Sequence, residues 1–192
     1  MIVDDDFLSK EEIEVVQNLM LKSEEFPWFL NPSLLDQSEA FEGVYKFNNL
    51  KTSGGFQFNH GFYMSGVEQS KYMNLVYHIF TKFIQKHNIQ SRAILRAKAN
   101  LTTQDSRNIY PAPHIDHFFD HFVFLYYVND SDGDTIIYNE KWENPHEEVT
   151  LTENTRISPK AGRAIFFDGK TYHTPLVPVN SPFRAVINLT FV

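Results

Sequence analysis

The 192-residue chain contains no cysteine. That excludes a disulfide scaffold, a cysteine nucleophile, a zinc ribbon and iron–sulfur ligation. Histidine and carboxylates are left as the strong metal ligands. No apolar run approaches the roughly 18–20 residues needed to span a bilayer. The start, Met1-Ile2-Val3-Asp4-Asp5-Asp6, is the opposite of a basic signal region, so an intracellular protein is expected. Basic residues are in deficit, with a formal net charge of −7. The cluster Arg92, Arg96, Lys98 is too small to form a footprint for duplex nucleic acid, and neither a nucleic-acid nor a membrane partner is expected. Gly-x-Ser-x-Gly is absent, and Gly54-Gly55 lacks the Lys-Ser/Thr of a phosphate loop. There are no internal repeats and no low-complexity tracts.

Aromatic residues, by contrast, are plentiful, with 18 Phe and 9 Tyr. The length fits one domain over 1–192, with 1–90 as a helical flank with support strands and 91–192 as the core. Ser9 and Glu12 form a capping box, and Ile13, Val16, Leu19 and Met20 give the helix that follows one apolar face over about four turns. Residues 24–66 are broken by Pro and Gly, with short strands expected at 43–47 and 56–64; this segment and the loop 102–113 are candidate substrate walls. A second helix is expected over 67–88, from the stripe Tyr72, Leu75, Val76, Ile79, Phe80, Phe83 and Ile84. His78 and His87, on or near it, read as structural.

After residue 90 the period changes to two. Residues 93–101 alternate small apolar residues with Arg96, Lys98 and Asn100, which suggests either a strand lining a cavity or an edge strand facing water. Further strands are expected at 118–128, 135–138, 148–151, 156–157, 163–167 and 183–192, separated by polar or Gly/Pro turns and a polar loop at 139–148. Short strands after two helices predict an α+β, mainly β fold: a double-sheet jelly roll flanked by N-terminal helices.

The candidate chemistry centres on His114-Ile115-Asp116. On an extended strand, residues two apart share a face, so the pair offers two metal ligands together. His173 would complete two imidazoles and one carboxylate. That set leaves open positions on a metal and points to non-haem Fe(II) oxygen chemistry. Arg184, eleven residues beyond His173, suits the carboxylate of an organic co-substrate. His117 and His121 have the i, i+4 spacing of a helical zinc pair, but Phe118-Phe119 and Phe122-Val123-Phe124 argue against a helix, and no Glu follows His117. His60 and His146 read as loop or surface residues.

From about residue 93 to 192 the chain resembles the Fe(II)- and 2-oxoglutarate-dependent dioxygenases, in their prolyl 4-hydroxylase-like branch. The residues that carry the resemblance are His114, Asp116, His173 and Arg184, with the strand Leu125-Tyr126-Tyr127-Val128-Asn129 and the segment Ser158 to Phe167. Asp132-Gly133-Asp134-Thr135 is similar to the family's Gly-Gly-x-Thr turn, with Asp for the first Gly, and Phe7-Leu8-Ser9-Lys10-Glu11-Glu12 to its entry into the first helix. The resemblance implies a double-stranded β-helix and a requirement for Fe(II), 2-oxoglutarate and O2, with ascorbate as a further reductant. It implies that Arg184 and Tyr127 hold the distal carboxylate of 2-oxoglutarate. Asn100 matches a position near the co-substrate, and Thr135 and Asn188 share its cavity by strand parity with the matched positions. Asp116, where related halogenases carry a small residue, implies hydroxylation. A peptidyl substrate, proline foremost, comes first by analogy; a free amino acid or small molecule, or a non-catalytic cupin-type metal-binding module, are the alternatives.

Overall fold

The structure is a computed structural model that describes residues 1–32, 46–47, 55–107, 109–143 and 148–192. In chain order its elements are β1 (Ile2–Asp4), α1 (Lys10–Gln17), β2 (Phe29–Asn31), β3 (Lys46–Phe47), β4 (Gln57–Met64), β5 (Val67–Glu68), α2 (Met73–His87) and β6 (Ile94–Thr103). There follow β7 (Phe122–Tyr127), β8 (Thr135–Lys141), β9 (Glu148–Val149), β10 (Glu153–Ile157), β11 (Ala164–Asp168), β12 (Thr171–Pro175) and β13 (Phe183–Phe191). Among the described residues this is a mainly β fold with two α-helices, as expected, its sheets antiparallel apart from the short parallel pair β3–β9. None of these helices is long and apolar enough to cross a membrane.

Strand parity explains how the main sheet divides its two faces. Its order is β1-β11-β7-β13-β6-β4-β2, with β5 paired to β4. One face carries Ala97, Ala99, Phe124, Tyr126, Ala185, Ile187, Leu189 and Phe191, which pack against Val76, Ile79, Phe80 and Phe83 of α2. Edge-on ring contacts such as Phe80–Phe191 (4.8 Å) interlock helix and sheet. The residues that alternate with these point the other way. Val123, Leu125, Tyr127, Val186 and Ile165 meet Ile137 and Ile157 of a second sheet, ordered β10-β8-β12. The polar side chains of β6 lie on this second face too. Because β6 runs between β13 and β4, its polar row does not belong to a sheet edge, and the edge-strand reading fails.

Several boundaries differ from expectation for local reasons. The second helix starts at Met73, not at 67, because Ser65 (φ 52°) and Gly66 (φ 82°) form a tight hairpin that pairs Met64 with Val67. α1 ends at Gln17 and continues as a π-helical turn through Lys22; the Met20 carbonyl there accepts from Trp28 Nε1 at 3.0 Å. The Ser9–Glu12 capping box is present. Phe118–Asp120 form a bend, so the strand expected from 118 begins at Phe122. Asn139–Lys141 extend β8 into the expected loop, and β10 begins at Glu153. Of the strand expected at 43–47, residues 43–45 lie outside the described residues, as does His146. His60 is neither loop nor surface. It is 5% exposed on β4, its two ring nitrogens bonded to the Pro27 carbonyl (2.9 Å) and Ser70 Oγ (2.7 Å).

Candidate metal centre

His114 and His173 lie side by side because their backbones exchange hydrogen bonds. His114 N donates to His173 O (2.9 Å) and His173 N to His114 O (3.1 Å), an isolated antiparallel bridge. His114 is therefore in a loop with a single bridge, not in a regular strand, and Asp116 sits in a bend two residues on. The alternation survives this correction: Ile115 is buried with Ile136, Tyr138 and Tyr172, while residues 114 and 116 face His173. One ligand atom from each of His114, Asp116 and His173 lies within 4.8 Å of the others. Asp116 Oδ2 is 3.6 Å from His173 Nε2.

The protonation states suit metal binding. His173 Nδ1 faces the Thr171 carbonyl at 3.1 Å and His114 Nδ1 the Ala112 carbonyl at 3.4 Å. These bonds favour the tautomer that leaves each Nε2 lone pair free. Burial, with His173 as neighbour, pushes the His114 pKa down to about 3, and burial lowers that of His173. Burial alone would raise the Asp116 pKa, but the charge of Arg96 reverses this and holds it well below the usual carboxylate range. Asp116 Oδ2 is buried and has no hydrogen-bond partner. Two neutral imidazoles and an ionised, unsatisfied carboxylate oxygen at this spacing fit a divalent metal.

The rest of this second face is organised around a buried cation. Arg184 on β13 is 3% exposed. Its Nε donates to the Gly133 carbonyl and its Nη2 to Thr135 Oγ1, both at 2.8 Å. Among the described residues no carboxylate lies within ion-pair distance of it. Tyr127 places its ring centroid 5.6 Å from the guanidinium and donates its hydroxyl to Thr135 Oγ1 at 2.7 Å. Thr135 Oγ1 thus accepts twice, and its own proton is available to an acceptor in the cavity. Asn188 (7% exposed) and Asn100 each present a buried carboxamide oxygen without a partner. Among the described residues, a buried guanidinium with no carboxylate at ion-pair distance and carboxamide oxygens without partners form a set of groups suited to an anionic, hydrogen-bonding molecule.

The candidate site residues fall into two groups. His114, Asp116 and His173 come together at one end, and Arg184, Tyr127 and Thr135 at the other. By register, Asn188 and Asn100 share the face of β13 and β6 that carries Arg184. His117 and His121 are not in the ligand group: His117 Nε2 meets Thr190 Oγ1 at 2.9 Å, and His121 Nδ1 meets the Phe119 carbonyl at 2.8 Å. Two residues were not anticipated. Arg96 pairs with Asp116 through Nη2 and Oδ1; the signal present was the period-two row on β6. Asp132, which stands where the family pattern has glycine, accepts from the backbone N–H groups of Val179 (3.2 Å), Asn180 (2.8 Å) and Ser181 (3.0 Å), pinning the turn that leads into β13.

No family model matches the sequence, and no curated protein matches it. Solved structures do. An oxidoreductase of the 2OG-Fe(II) oxygenase family from Burkholderia pseudomallei is 10% identical over 96% of this chain and 80% of that one, with a TM-score of 0.63. SnoN, a non-heme α-ketoglutarate-dependent epimerase from nogalamycin biosynthesis, is 12% identical over 100% and 77%, with a TM-score of 0.61. A second structure of it holds Fe3+, α-ketoglutarate and nogalamycin RO. A prolyl hydroxylase from Trichoplax adhaerens, in complex with a hypoxia inducible factor peptide fragment, is 13% identical over 99% and 82%, with a TM-score of 0.58. The chain has the fold of the 2-oxoglutarate- and iron(II)-dependent oxygenases, prolyl hydroxylases among them.

Proposed function

We propose that this chain is an oxygenase that uses Fe(II), 2-oxoglutarate and O2 to hydroxylate a C–H bond of its substrate. The observation that carries this reading is the pairing, on one face, of the His114–Asp116–His173 group with a buried Arg184 that, among the described residues, has no carboxylate within ion-pair distance. We read the two facing sheets as a double-stranded β-helix, with 91–192 as its core and 1–90 as its flank within one domain.

The residues divide the work by position. His114, Asp116 and His173 hold the iron. Arg184, with the Thr135 hydroxyl as a second donor, fixes the distal carboxylate of 2-oxoglutarate, and Tyr127 packs against the guanidinium. Asn100 and Asn188 offer carboxamides to the length between these two ends, in either flip state. Val123, Leu125 and Val186 keep water from the floor. Bound iron supplies O2 activation coupled to oxidation of the 2-keto acid. The overall reaction balances as 2-oxoglutarate plus O2 plus R–H giving succinate, CO2 and R–OH. The keto acid is oxidised, one oxygen atom enters succinate and the other enters the substrate.

The substrate we favour is a peptidyl residue, proline foremost, in line with the peptide-bound hydroxylase of the same fold. A free amino acid or small molecule is the second reading, in line with SnoN and its nogalamycin ligand. Ascorbate serves as an auxiliary reductant. The test is oxygen-dependent succinate release from the chain supplied with Fe(II) and 2-oxoglutarate, followed by a screen of peptides and amino acids for the mass of one added oxygen. Succinate formation by the parent chain and none by His173→Ala is the expected outcome. A folded parent chain that forms no succinate would leave only a metal-binding module.

A further inference from the structure

A carboxylate can bind a metal through one oxygen or through two, and the choice decides how many positions remain for other ligands. The two oxygens of Asp116 differ sharply in their surroundings. Oδ1 is bonded to Nη2 of Arg96, with the two side chains 15% and 5% exposed. Oδ2 is buried without a hydrogen-bond partner and faces His173 Nε2 at 3.6 Å. Arg96 cannot swing away easily. It sits in the interior of the main sheet on β6, directly opposite Thr190 of β13, and its own Nε is buried. The Thr190 hydroxyl is in contact with His117, which flanks Asp116 on its other side. A guanidinium is a permanently charged donor, and this single Nη2–Oδ1 contact holds that one oxygen and leaves the other free.

We propose that Arg96 is a positioning residue of the metal centre: it holds Asp116 Oδ1 so that the carboxylate offers the metal Oδ2 alone. This rests on the metal reading above. The consequence is chemical. With one oxygen from Asp116 and one nitrogen from each histidine, the protein supplies three donors, which leaves room for a chelating co-substrate and for O2. A carboxylate released by Arg96 is free to bind through both oxygens and fill a further position. Arg96 also balances the charge of Asp116 when no metal is present, so the site stays formed in the metal-free chain.

The probe is Co(II), which binds such sites without turnover. Two measurements on the full chain decide the matter. The infrared difference spectrum between Co(II)-loaded and metal-free parent protein reads the carboxylate mode directly. A one-oxygen carboxylate, with its antisymmetric and symmetric stretches further apart than in the free ion, is expected; the narrow separation of two-oxygen binding would overturn the proposal. The second measurement is Co(II) affinity by calorimetry in Arg96→Met and Arg96→Lys. A cation that merely neighbours the metal repels it, so its removal would tighten binding. Positioning predicts the opposite: Arg96→Met weakens Co(II) binding roughly 10- to 100-fold, and Arg96→Lys, which keeps a donor, restores most of it. Binding by folded Arg96→Met as tight as that of the parent, or tighter, would sink the idea. If the parent binds no Co(II) in a His173-dependent manner, the metal reading itself fails; if the parent binds and Arg96→Met is unchanged, only the role of Arg96 fails.

Discussion

Gly133 sits where the Leu176 backbone and the Arg184 side chain converge. A β-carbon there would lie 2.7 Å from the Leu176 carbonyl oxygen and 3.0 Å from Arg184 Cδ, so the residue is glycine for want of space. Gly133→Ala is expected to cost about 1–3 kcal/mol in a denaturant titration and to weaken 2-oxoglutarate binding, because relief requires both the Leu176–Pro178 backbone and the Arg184 side chain to shift. Unaltered stability and affinity would contradict the packing described. At this scale the sequence is legible where chemistry is distinctive and spacing short. His114-x-Asp116, the isolated His173 and a lone Arg184 in an apolar strand stand out by residue type. Arg96 does not, because its partner is twenty residues away and only the sheet brings them together. His60 differs from expectation for a related reason: the Pro27 carbonyl, the Ser70 hydroxyl and four aromatic rings that enclose it come from elsewhere in the chain.

The helices and strands carry their own tests. The capping box at α1 closes with Glu12 N donating to Ser9 Oγ at 3.3 Å and Ser9 N to Glu12 Oε2 at 2.8 Å. Ser9→Ala should lower unfolding free energy by about 1 kcal/mol, read from the urea midpoint. Phe83 of α2 is fully buried, with ring centroids 5.3 Å from Phe7 and 5.0 Å from Phe124. Phe83→Ala should cost about 3–5 kcal/mol, and a loss well under 1 kcal/mol would mean that α2 does not pack on the sheet as described. Periodicity revealed which elements exist because burial imposes it on both helices and strands. It misjudged some of their starts because a turn or a packing contact, which periodicity does not register, decided them. Val67 continues the helical spacing but is drawn off by the Ser65–Gly66 hairpin. Phe118 and Phe119 continue an aromatic run but are bent where His121 packs against Gly169.

Across the whole molecule, carboxylates tie the N-terminal segment to both layers. Asp5 is bonded to Arg163 (2.6 Å) and Lys160 (3.0 Å), and Glu12 to Lys82 (2.5 Å) and His78 (2.7 Å). The Arg163 hydrogen bond chiefly holds Asp5, and the Lys82 hydrogen bond Glu12, at a pKa of about 2, from ordinary values of 3.8 and 4.5. Folded-state values below unfolded ones mean that the contribution is complete above about pH 5 and is lost as pH falls towards 2. The groups are partly solvated, so each supplies about 1 kcal/mol or less. The parent should lose urea resistance between pH 5 and pH 2.5, and Asp5→Asn with Glu12→Gln should lose less over that interval; equal losses would remove these pairs from the account. The proposed chemistry needs both ends of the second face, the His114–Asp116–His173 group and Arg184. An anaerobic titration of Fe(II) and 2-oxoglutarate, followed by charge-transfer absorbance and calorimetry, tests it most directly. One Fe(II) and one 2-oxoglutarate per chain are predicted, with Fe(II) lost in His173→Ala and 2-oxoglutarate alone weakened, by tenfold or more, in Arg184→Met. Retention of 2-oxoglutarate affinity in Arg184→Met, or of Fe(II) in His173→Ala, would contradict the assignment.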